Sequence, residues 1–146
     1  MIVVDTGPLL AVASDKDRYH DACVRLLSTN PGPLLVPSLV LGETCYLLQS
    51  RRGNRAEAKF LEAFDKDGFT LIENTPEDRA RMVQLLRKYD NLSLGAVDAS
   101  VIAVAERLNV TDIATVDRLH FSIVKPVHVE NFTLLPEKLP NSHRKR

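Results

Sequence analysis

The chain has 146 residues, of which 45% are apolar and 26% are charged. This length predicts one domain that buries about two thirds of its unfolded surface, and the composition excludes a disordered, fibrous or disulfide-stapled chain. Because 19 basic and 19 acidic residues cancel, the chain is not a simple basic nucleic-acid coat. A local binding groove is still compatible with zero net charge.

Cysteine usage and hydropathy indicate the compartment. Cys23 and Cys45 have no metal-ligand spacing and are predicted to be small buried apolar side chains. No apolar run approaches the roughly 18 residues of a membrane span, and the first residues lack the basic segment of a signal peptide. We therefore expect a soluble cytoplasmic protein.

Strand and helix patterns alternate along the chain. The predicted strands are Ile2–Val4, Leu34–Val36, Phe69–Glu73, Ile113–Val116 and an edge strand at Phe132–Leu135. The predicted helices begin at Thr6, with Pro8 in the first turn, and then span Tyr19–Leu27, Ser38–Arg52, Arg55–Lys66, Pro76–Tyr89 and Ala96–Leu108. Thr6 and Ser38 are predicted N-caps.

Short β-rich runs separated by helices predict an α/β fold with a mostly parallel central sheet flanked by helices on both faces. The helix at 96–108 has an almost wholly apolar middle, which predicts packing on more than one side. We expect a single domain over residues 1–135 and a C-terminal tail over 136–146.

Four acidic residues occupy informative positions. Asp5 and Asp117 directly follow predicted strands, and ligands of parallel α/β folds gather beyond the carboxyl ends of the strands. Glu43 and Asp98 lie inside otherwise apolar helical patterns that contain no nearby Lys or Arg partner. A half-buried carboxylate costs several kcal/mol unless it is paired or binds a cation.

If these four acids converge, carboxylates about 4 Å apart repel by roughly 4 kcal/mol per pair, and a divalent cation removes that repulsion. Oxygen ligands without His or Cys fit Mg²⁺ or Mn²⁺ better than zinc. Taken singly, Asp5 and Asp98 can instead be helix caps, and Asp117 can be an ordinary turn residue.

Four segments of the chain resemble the PIN domains, and within them the VapC-type toxins of bacterial toxin–antitoxin pairs. They occur in family order, with an acid at each expected place, at Val3–Ala11, Pro37–Glu43, Leu94–Ala99 and Ala114–Asp117 followed by Phe121. The resemblance implies a parallel-sheet α/β fold, Mg²⁺- or Mn²⁺-dependent RNA cleavage, a homodimer and a cognate VapB-type antitoxin.

The resemblance also implies roles for individual residues. Asp5 and Asp98 correspond to principal metal ligands, and Glu43 to a ligand or an activator of the attacking water. Asp117 corresponds to a further, often water-mediated, ligand, and Thr115 to a hydroxyl that orients it. The family commonly shows Asp-Xaa-Asp-Phe near the fourth acid, whereas here Asp117 is followed by Arg-Leu-His-Phe.

We therefore expect a metal-dependent endoribonuclease that acts as a toxin. Two alternatives are a PIN-like domain that binds RNA or a partner without cutting it, and a receiver-type signalling domain. The receiver fold shares strand-end acids, but it needs adjacent acids after the first strand, where this chain offers only Asp5.

Surface residues give weaker indications. Basic residues that are candidates for RNA contact are Arg51, Arg52, Arg55 and Lys59, although a solvated face paired with Glu57 and Glu62 explains them equally well. The apolar helical segments 39–48 and 60–64 offer either a groove for an antitoxin or a core or dimer surface. The histidines have no ligand spacing and receive no role; they are His20, His120, His128 and His143.

Overall fold

The computed structural model describes residues 1–140. In chain order its elements are β1 (Ile2–Val4), α1 (Thr6–Ala13), α2 (His20–Thr29), β2 (Leu34–Pro37), α3 (Ser38–Arg52), α4 (Asn54–Lys66), β3 (Phe69–Ile72), α5 (Pro76–Lys88), a 3₁₀ turn (Asp90–Leu92), α6 (Ala96–Arg107), β4 (Asp112–Ala114), α7 (Leu119–Ile123) and β5 (Thr133–Leu135).

The strands form one sheet in the order β3-β2-β1-β4-β5, and every neighbouring pair is parallel. The chain steps outward from β1 in both directions, and right-handed crossovers then place helices on opposite faces. The predicted α/β class with a parallel sheet is confirmed. Because the strands are parallel, their carboxyl ends meet at one edge, with β1 at its centre.

The β1 strand is central because its side chains suit a fully buried position. Ile2, Val3 and Val4 are β-branched and have no exposed surface. Their backbones pair with Leu34 and Leu35 of β2 on one side and with Ile113 and Ala114 of β4 on the other. The residue that follows β1 therefore starts from the middle of the core.

The α6 helix is the most buried helix of the described chain. Every residue from Ala99 to Ala105 is buried, and the helix contacts α3, α5, β1 and β2. This confirms the prediction that it packs on more than one side. The predicted start of a helix at Pro76 is confirmed as well: Thr75 caps α5, Pro76 is its first residue, and Asp78 completes a capping box.

Three predicted local features are wrong. Thr6 does not cap α1, because Asp5 occupies the cap position and Thr6 is the first helical residue. Likewise Pro37, not Ser38, occupies the cap position of α3. The strand predicted to run to Val116 ends at Ala114, since the Thr115 hydroxyl bonds the Asp117 carbonyl and turns the chain away from the sheet.

The C-terminal part of the domain was predicted incompletely. The edge strand is confirmed as β5, which pairs with β4. The short α7 helix was not predicted. Of the predicted tail at 136–146, positions 141–146 lie outside the described residues, so the domain boundary at 135 stays a prediction. Within residues 1–140 no helix is both long and apolar enough to span a membrane.

Gly7 allows a close approach between α1 and the segment that follows β4. A β-carbon on Gly7 would overlap the Cγ2 atom of Val116. We expect Gly7→Ala to lower the free energy of unfolding by about 1–3 kcal/mol, measured by urea denaturation, because the two segments must move apart.

The matched control is Gly42→Ala in α3, where no atom lies within 4 Å of the added carbon. This control is expected to raise stability by about 0.5–1 kcal/mol through helix propensity. Trimming the obstacle in Gly7→Ala/Val116→Ala is expected to restore part of the loss. Equal stability of Gly7→Ala and the wild type would contradict the close approach.

Candidate metal centre

Asp5 lies at the carboxyl end of β1, and its backbone amide is held by β4. Its amide donates to the Ala114 carbonyl at 2.9 Å, which continues the pairing of β1 with β4. Its side chain turns into the protein, so the residue is only 7% exposed. One carboxylate oxygen, Oδ2, lies 3.0 Å from the Thr115 hydroxyl. Asp5 is thus a buried acid directly after the central strand of the sheet.

Burial raises the pKa of Asp5 to about 7. The Thr6 backbone N–H and the Thr115 hydroxyl act in the opposite direction, while the negative charges of Asp98 and Glu43 raise the pKa further. These two charges act on Asp5 only because they lie nearby. Asp5, Glu43 and Asp98, hereafter the carboxylate cluster, therefore interact electrostatically, although Asp5 follows β1 and the other two lie on α3 and α6.

Asp98 lies in the first turn of α6. Its Oδ2 atom is 3.5 Å from the Gly95 amide, so it contributes to the cap of its own helix, which was the alternative weighed for this residue. The same oxygen is 3.0 Å from Nδ1 of His120. The Asp98 carboxylate can therefore cap its own helix and still act electrostatically on Asp5.

Glu43 lies on α3 and is half-buried. Its neighbour Thr44 faces the core and bonds the Val40 carbonyl, which fixes the orientation of this turn of the helix. Within residues 1–140 Glu43 makes no ion pair.

Asp117 differs from Asp5 in exposure, although its backbone carbonyl shares the Thr115 hydroxyl with the Asp5 carboxylate. Its side chain is exposed, and its charge is not among those that shift the pKa of Asp5. The resemblance implied that Thr115 orients the carboxylate of Asp117. In the structure the Thr115 hydroxyl contacts the Asp5 carboxylate and only the backbone carbonyl of Asp117.

Sequence reasoning missed His120. Its Nε2 atom lies 2.8 Å from the Leu92 carbonyl while Nδ1 contacts Asp98. The only sequence signal was its position three residues after Asp117, immediately before the buried Phe121. The other described histidines, His20 and His128, bond backbone carbonyls elsewhere.

The predicted basic residues and apolar helices lie on the first half of the fold. Arg51, Arg52, Arg55 and Lys59 are all exposed, and within residues 1–140 none forms an ion pair. Next to them a groove of about 320 Å³ runs between α1, α3 and α4. Apolar side chains line it, including Leu9, Val12, Leu48, Phe60 and Phe64, with Arg52 and Lys59 at its rim.

Comparison with known families identifies the fold. The sequence model of the PIN-domain family matches residues 2–125, which is most of the chain. The chain belongs to the PIN-domain family.

The strand order of the sheet, β3-β2-β1-β4-β5, differs from the 2-1-3-4-5 order of receiver domains. The alternative of a receiver-type signalling domain is therefore wrong.

Two curated relatives of this PIN domain are ribonucleases of Mycobacterium tuberculosis. Ribonuclease VapC26 is 27% identical over 135 residues, which cover 92% of this chain and all of VapC26. The 23S rRNA-specific endonuclease VapC20 is 31% identical over 108 residues, which cover 73% of this chain and 82% of VapC20.

Solved structures agree with this assignment. The crystal structure of M. tuberculosis VapC20, described as a sarcin-ricin loop cleaving toxin, superposes with a TM-score of 0.78 at 26% identity and covers 88% of this PIN domain and 98% of that chain. The toxin–antitoxin complex VapBC2 of Rickettsia felis, bound to promoter DNA, has a TM-score of 0.65 at 17% identity and covers 92% and 97% of the two chains. That second likeness shows the fold alone.

The donor chemistry of the PIN domain fits a hard divalent cation. The carboxylate cluster offers oxygen ligands and excess negative charge, and the buried Thr6 hydroxyl beside Asp5 has no hydrogen-bond partner in the described chain. Residues 1–140 contain no group of three or more His, Cys, Asp or Glu side chains already arranged to hold a metal. The residues therefore fit Mg²⁺ or Mn²⁺ in type and charge, not as a closed cage.

The pKa of Asp5 predicts an unusual pH dependence of stability without metal. The folded protein binds the Asp5 proton more tightly than the unfolded chain does. This contribution is therefore present below about pH 4 and is lost as the pH rises toward 7. In EDTA, the wild type should lose on the order of a few kcal/mol of unfolding free energy relative to Asp5→Asn between pH 4 and 8.

The measurement is urea unfolding of both proteins at a series of pH values, with circular dichroism as the probe. Subtracting the Asp5→Asn curve removes the titration of all other groups that the substitution does not affect. Parallel curves for the two proteins would show that Asp5 is ionised in the folded state like an ordinary carboxylate.

Proposed function

We propose that this PIN domain is a Mg²⁺- or Mn²⁺-dependent endoribonuclease that acts as the toxin of a toxin–antitoxin pair. The observation that carries the proposal is the carboxylate cluster, in which the buried Asp5 lies beside the charges of Asp98 and Glu43. Support comes from the family membership and from relatives named as VapC ribonucleases. RNA is accordingly the proposed substrate class.

Asp5 and Asp98 would hold the cation, and Asp117, whose side chain is exposed, would contribute through a water. The Thr115 hydroxyl orients Asp5. When bound, Mg²⁺ or Mn²⁺ supplies Lewis-acid polarisation of the phosphodiester and lowers the pKa of a water. We assign the roles of principal ligands to Asp5 and Asp98 on this basis.

Glu43 would ligate the cation or take the proton of the attacking water. Water adds to the phosphorus, the bond from phosphorus to the 3′ oxygen breaks, and the products are a 5′-phosphate and a 3′-hydroxyl. This route needs no 2′-hydroxyl nucleophile. Preference for RNA must then come from shape and sugar contacts outside the carboxylate cluster.

We expect purified protein to cleave RNA with Mg²⁺ or Mn²⁺ and not in EDTA. Asp5→Asn and Asp98→Asn should each reduce cleavage by about 100-fold or more, since each removes a ligand charge. The assay is single-turnover cleavage of end-labelled RNA, with folding of each variant checked by thermal unfolding.

Asp112→Asn is the matched control, because Asp112 begins β4 and so lies toward the opposite edge of the sheet from Asp5. It should cleave like the wild type. Full activity in EDTA would refute the metal mechanism, and undiminished activity of both cluster variants would refute the site. Metal-dependent RNA binding without any cleavage would favour the alternative of a non-cutting PIN-like domain.

We further propose that a VapB-type antitoxin silences the protein and that the active form is a homodimer in the cytoplasm. An antitoxin Arg or Lys placed in the carboxylate cluster would replace the metal charge and block the phosphate position. The groove between α1, α3 and α4 would receive an amphipathic segment of the antitoxin, because its lining is mostly apolar and the charged side chains of Arg52, Lys59 and Asp67 also line it. Solved neighbours of the same fold include toxin–antitoxin complexes.

Growth assays test this regulation. Expression of the protein alone should arrest bacterial growth, and co-expression of the adjacent small reading frame should relieve the arrest. Phe60→Glu, which puts a charge into the groove, should remain toxic under co-expression. Leu61→Glu is the control, because Leu61 is 46% exposed on the same helix and does not line the groove.

Leu61→Glu should be neutralised like the wild type. Neutralisation of both variants would refute the groove assignment. A wild-type protein that is harmless at high expression would refute the toxin assignment and favour a housekeeping role in RNA processing.

A further inference from the structure

His120 joins two segments that meet at the carboxylate cluster. Its Nε2 atom lies 2.8 Å from the Leu92 carbonyl, in the turn before α6, and Nδ1 lies 3.0 Å from Oδ2 of Asp98. Both partners are acceptors, so each faces one of the two ring nitrogens. The ring is largely enclosed, with 19% of its side chain exposed.

The contact with Asp98 engages only one of its two oxygens. Oδ2 receives both the Gly95 amide at 3.5 Å and the imidazole, whereas Oδ1 has no hydrogen bond to any residue among positions 1–140. A ligating carboxylate held in this way has one oxygen fixed by the protein and the other left for a cation. Such outer contacts normally set the orientation of metal ligands.

The position of His120 is itself fixed by α7. The neighbouring side chains Phe121 and Val124 are each only 2% exposed and anchor the helix in the core. Arg118 holds the preceding turn by donating to the carbonyls of Thr115 and Pro136. The imidazole is therefore presented by a helix that is anchored in the core, and Asp117 lies two residues before that helix begins.

We propose that His120 is a positioning residue that holds Asp98 in the orientation in which Oδ1 takes the divalent cation. The inference deepens the proposed metal-dependent cleavage and rests on it. Through α7, His120 also couples the orientation of Asp98 to the segment of the fourth acid. A structural role alone, in which His120 only ties the 90–95 turn to α7, depends on Nε2 and Leu92 instead of Nδ1 and Asp98.

Two conservative substitutions separate these roles. In His120→Asn the amide nitrogen stands near the position of Nδ1, where it can donate to Asp98, but it cannot reach the Leu92 carbonyl. In His120→Gln the amide nitrogen stands near the position of Nε2, where it can reach Leu92, but no donor faces Asp98. His128→Gln is the matched control, because His128 bonds the Val110 carbonyl and takes no part in the cluster.

The first readout is Mn²⁺ binding by isothermal titration calorimetry, with thermal unfolding in EDTA as the measure of structure. We expect His120→Gln to keep a near-wild-type unfolding temperature and to bind Mn²⁺ about 10–100-fold more weakly. His120→Asn should unfold at a lower temperature than the wild type but keep its Mn²⁺ affinity within about 3-fold. The control His128→Gln should also keep its Mn²⁺ affinity within about 3-fold of the wild type.

The second readout is RNA cleavage as a function of Mg²⁺. His120→Gln should need about 10–100-fold more Mg²⁺ for half-maximal cleavage, and high Mg²⁺ should restore most of its rate. Wild-type Mn²⁺ affinity in His120→Gln would overturn the proposal, as would equal loss of affinity in the Asn and Gln variants. A wild-type protein that takes no Mn²⁺ would overturn it too.

The failure of the proposed function gives a different result. If the wild type binds Mn²⁺ but cuts no RNA, the endoribonuclease assignment fails, while the calorimetric comparison still decides the role of His120. If the wild type cuts RNA and His120→Gln shows unchanged metal dependence, only the role of His120 fails.

Discussion

The site depends on one unfavourable interaction: the buried carboxylate of Asp5 is repelled by the negative charges of Asp98 and Glu43. The side chain of Asp5 is buried at the carboxyl end of the central strand. Burial and the negative charges of Asp98 and Glu43 all oppose its ionisation. The surrounding structure holds it there nonetheless. Central placement of β1, the amide of Asp5 on the Ala114 carbonyl, and the Thr115 hydroxyl each fix its position.

Such an arrangement costs stability unless a positive charge enters. Two different partners can supply that charge in the proposed cycle: a divalent cation during RNA cleavage, and an antitoxin side chain during silencing. Both would act on the same acids, so activity and inhibition exclude each other by occupancy. None of these acids lines the apolar groove between α1, α3 and α4, so in the proposed complex the groove would add affinity beyond the contact with the acids.

Much of this fold could be predicted from local patterns, because its central strands β1 and β2 are short apolar runs that are fully buried. Ile2–Val4 and the apolar helix at 96–107 are cases in which composition alone identifies the element. The end of β4 was mispredicted for a physical reason. Thr115 and Val116 have high strand propensity, but the Thr115 side chain bonds the Asp117 carbonyl and the Asp5 carboxylate, which turns the chain.

The candidate site was predictable to a similar degree. The position directly after a strand pointed to Asp5, and apolar helical surroundings without a Lys or Arg partner pointed to Glu43 and Asp98. The contact of His120 with Asp98 and Leu92 was not predictable, because it joins positions 22 and 28 residues apart through a helix too short to leave a periodic signal. The exposed position of Asp117 depends on the turn that follows β4, which was not predicted either.

Anomalous diffraction from crystals grown with Mn²⁺ tests the central claim most directly. The account predicts an anomalous peak bonded to both Asp5 and Asp98 in the wild type. In Asp5→Asn crystals grown under the same conditions, the peak should be absent. A wild-type crystal saturated with Mn²⁺ that shows no peak between these two carboxylates, or shows one only elsewhere, would contradict it.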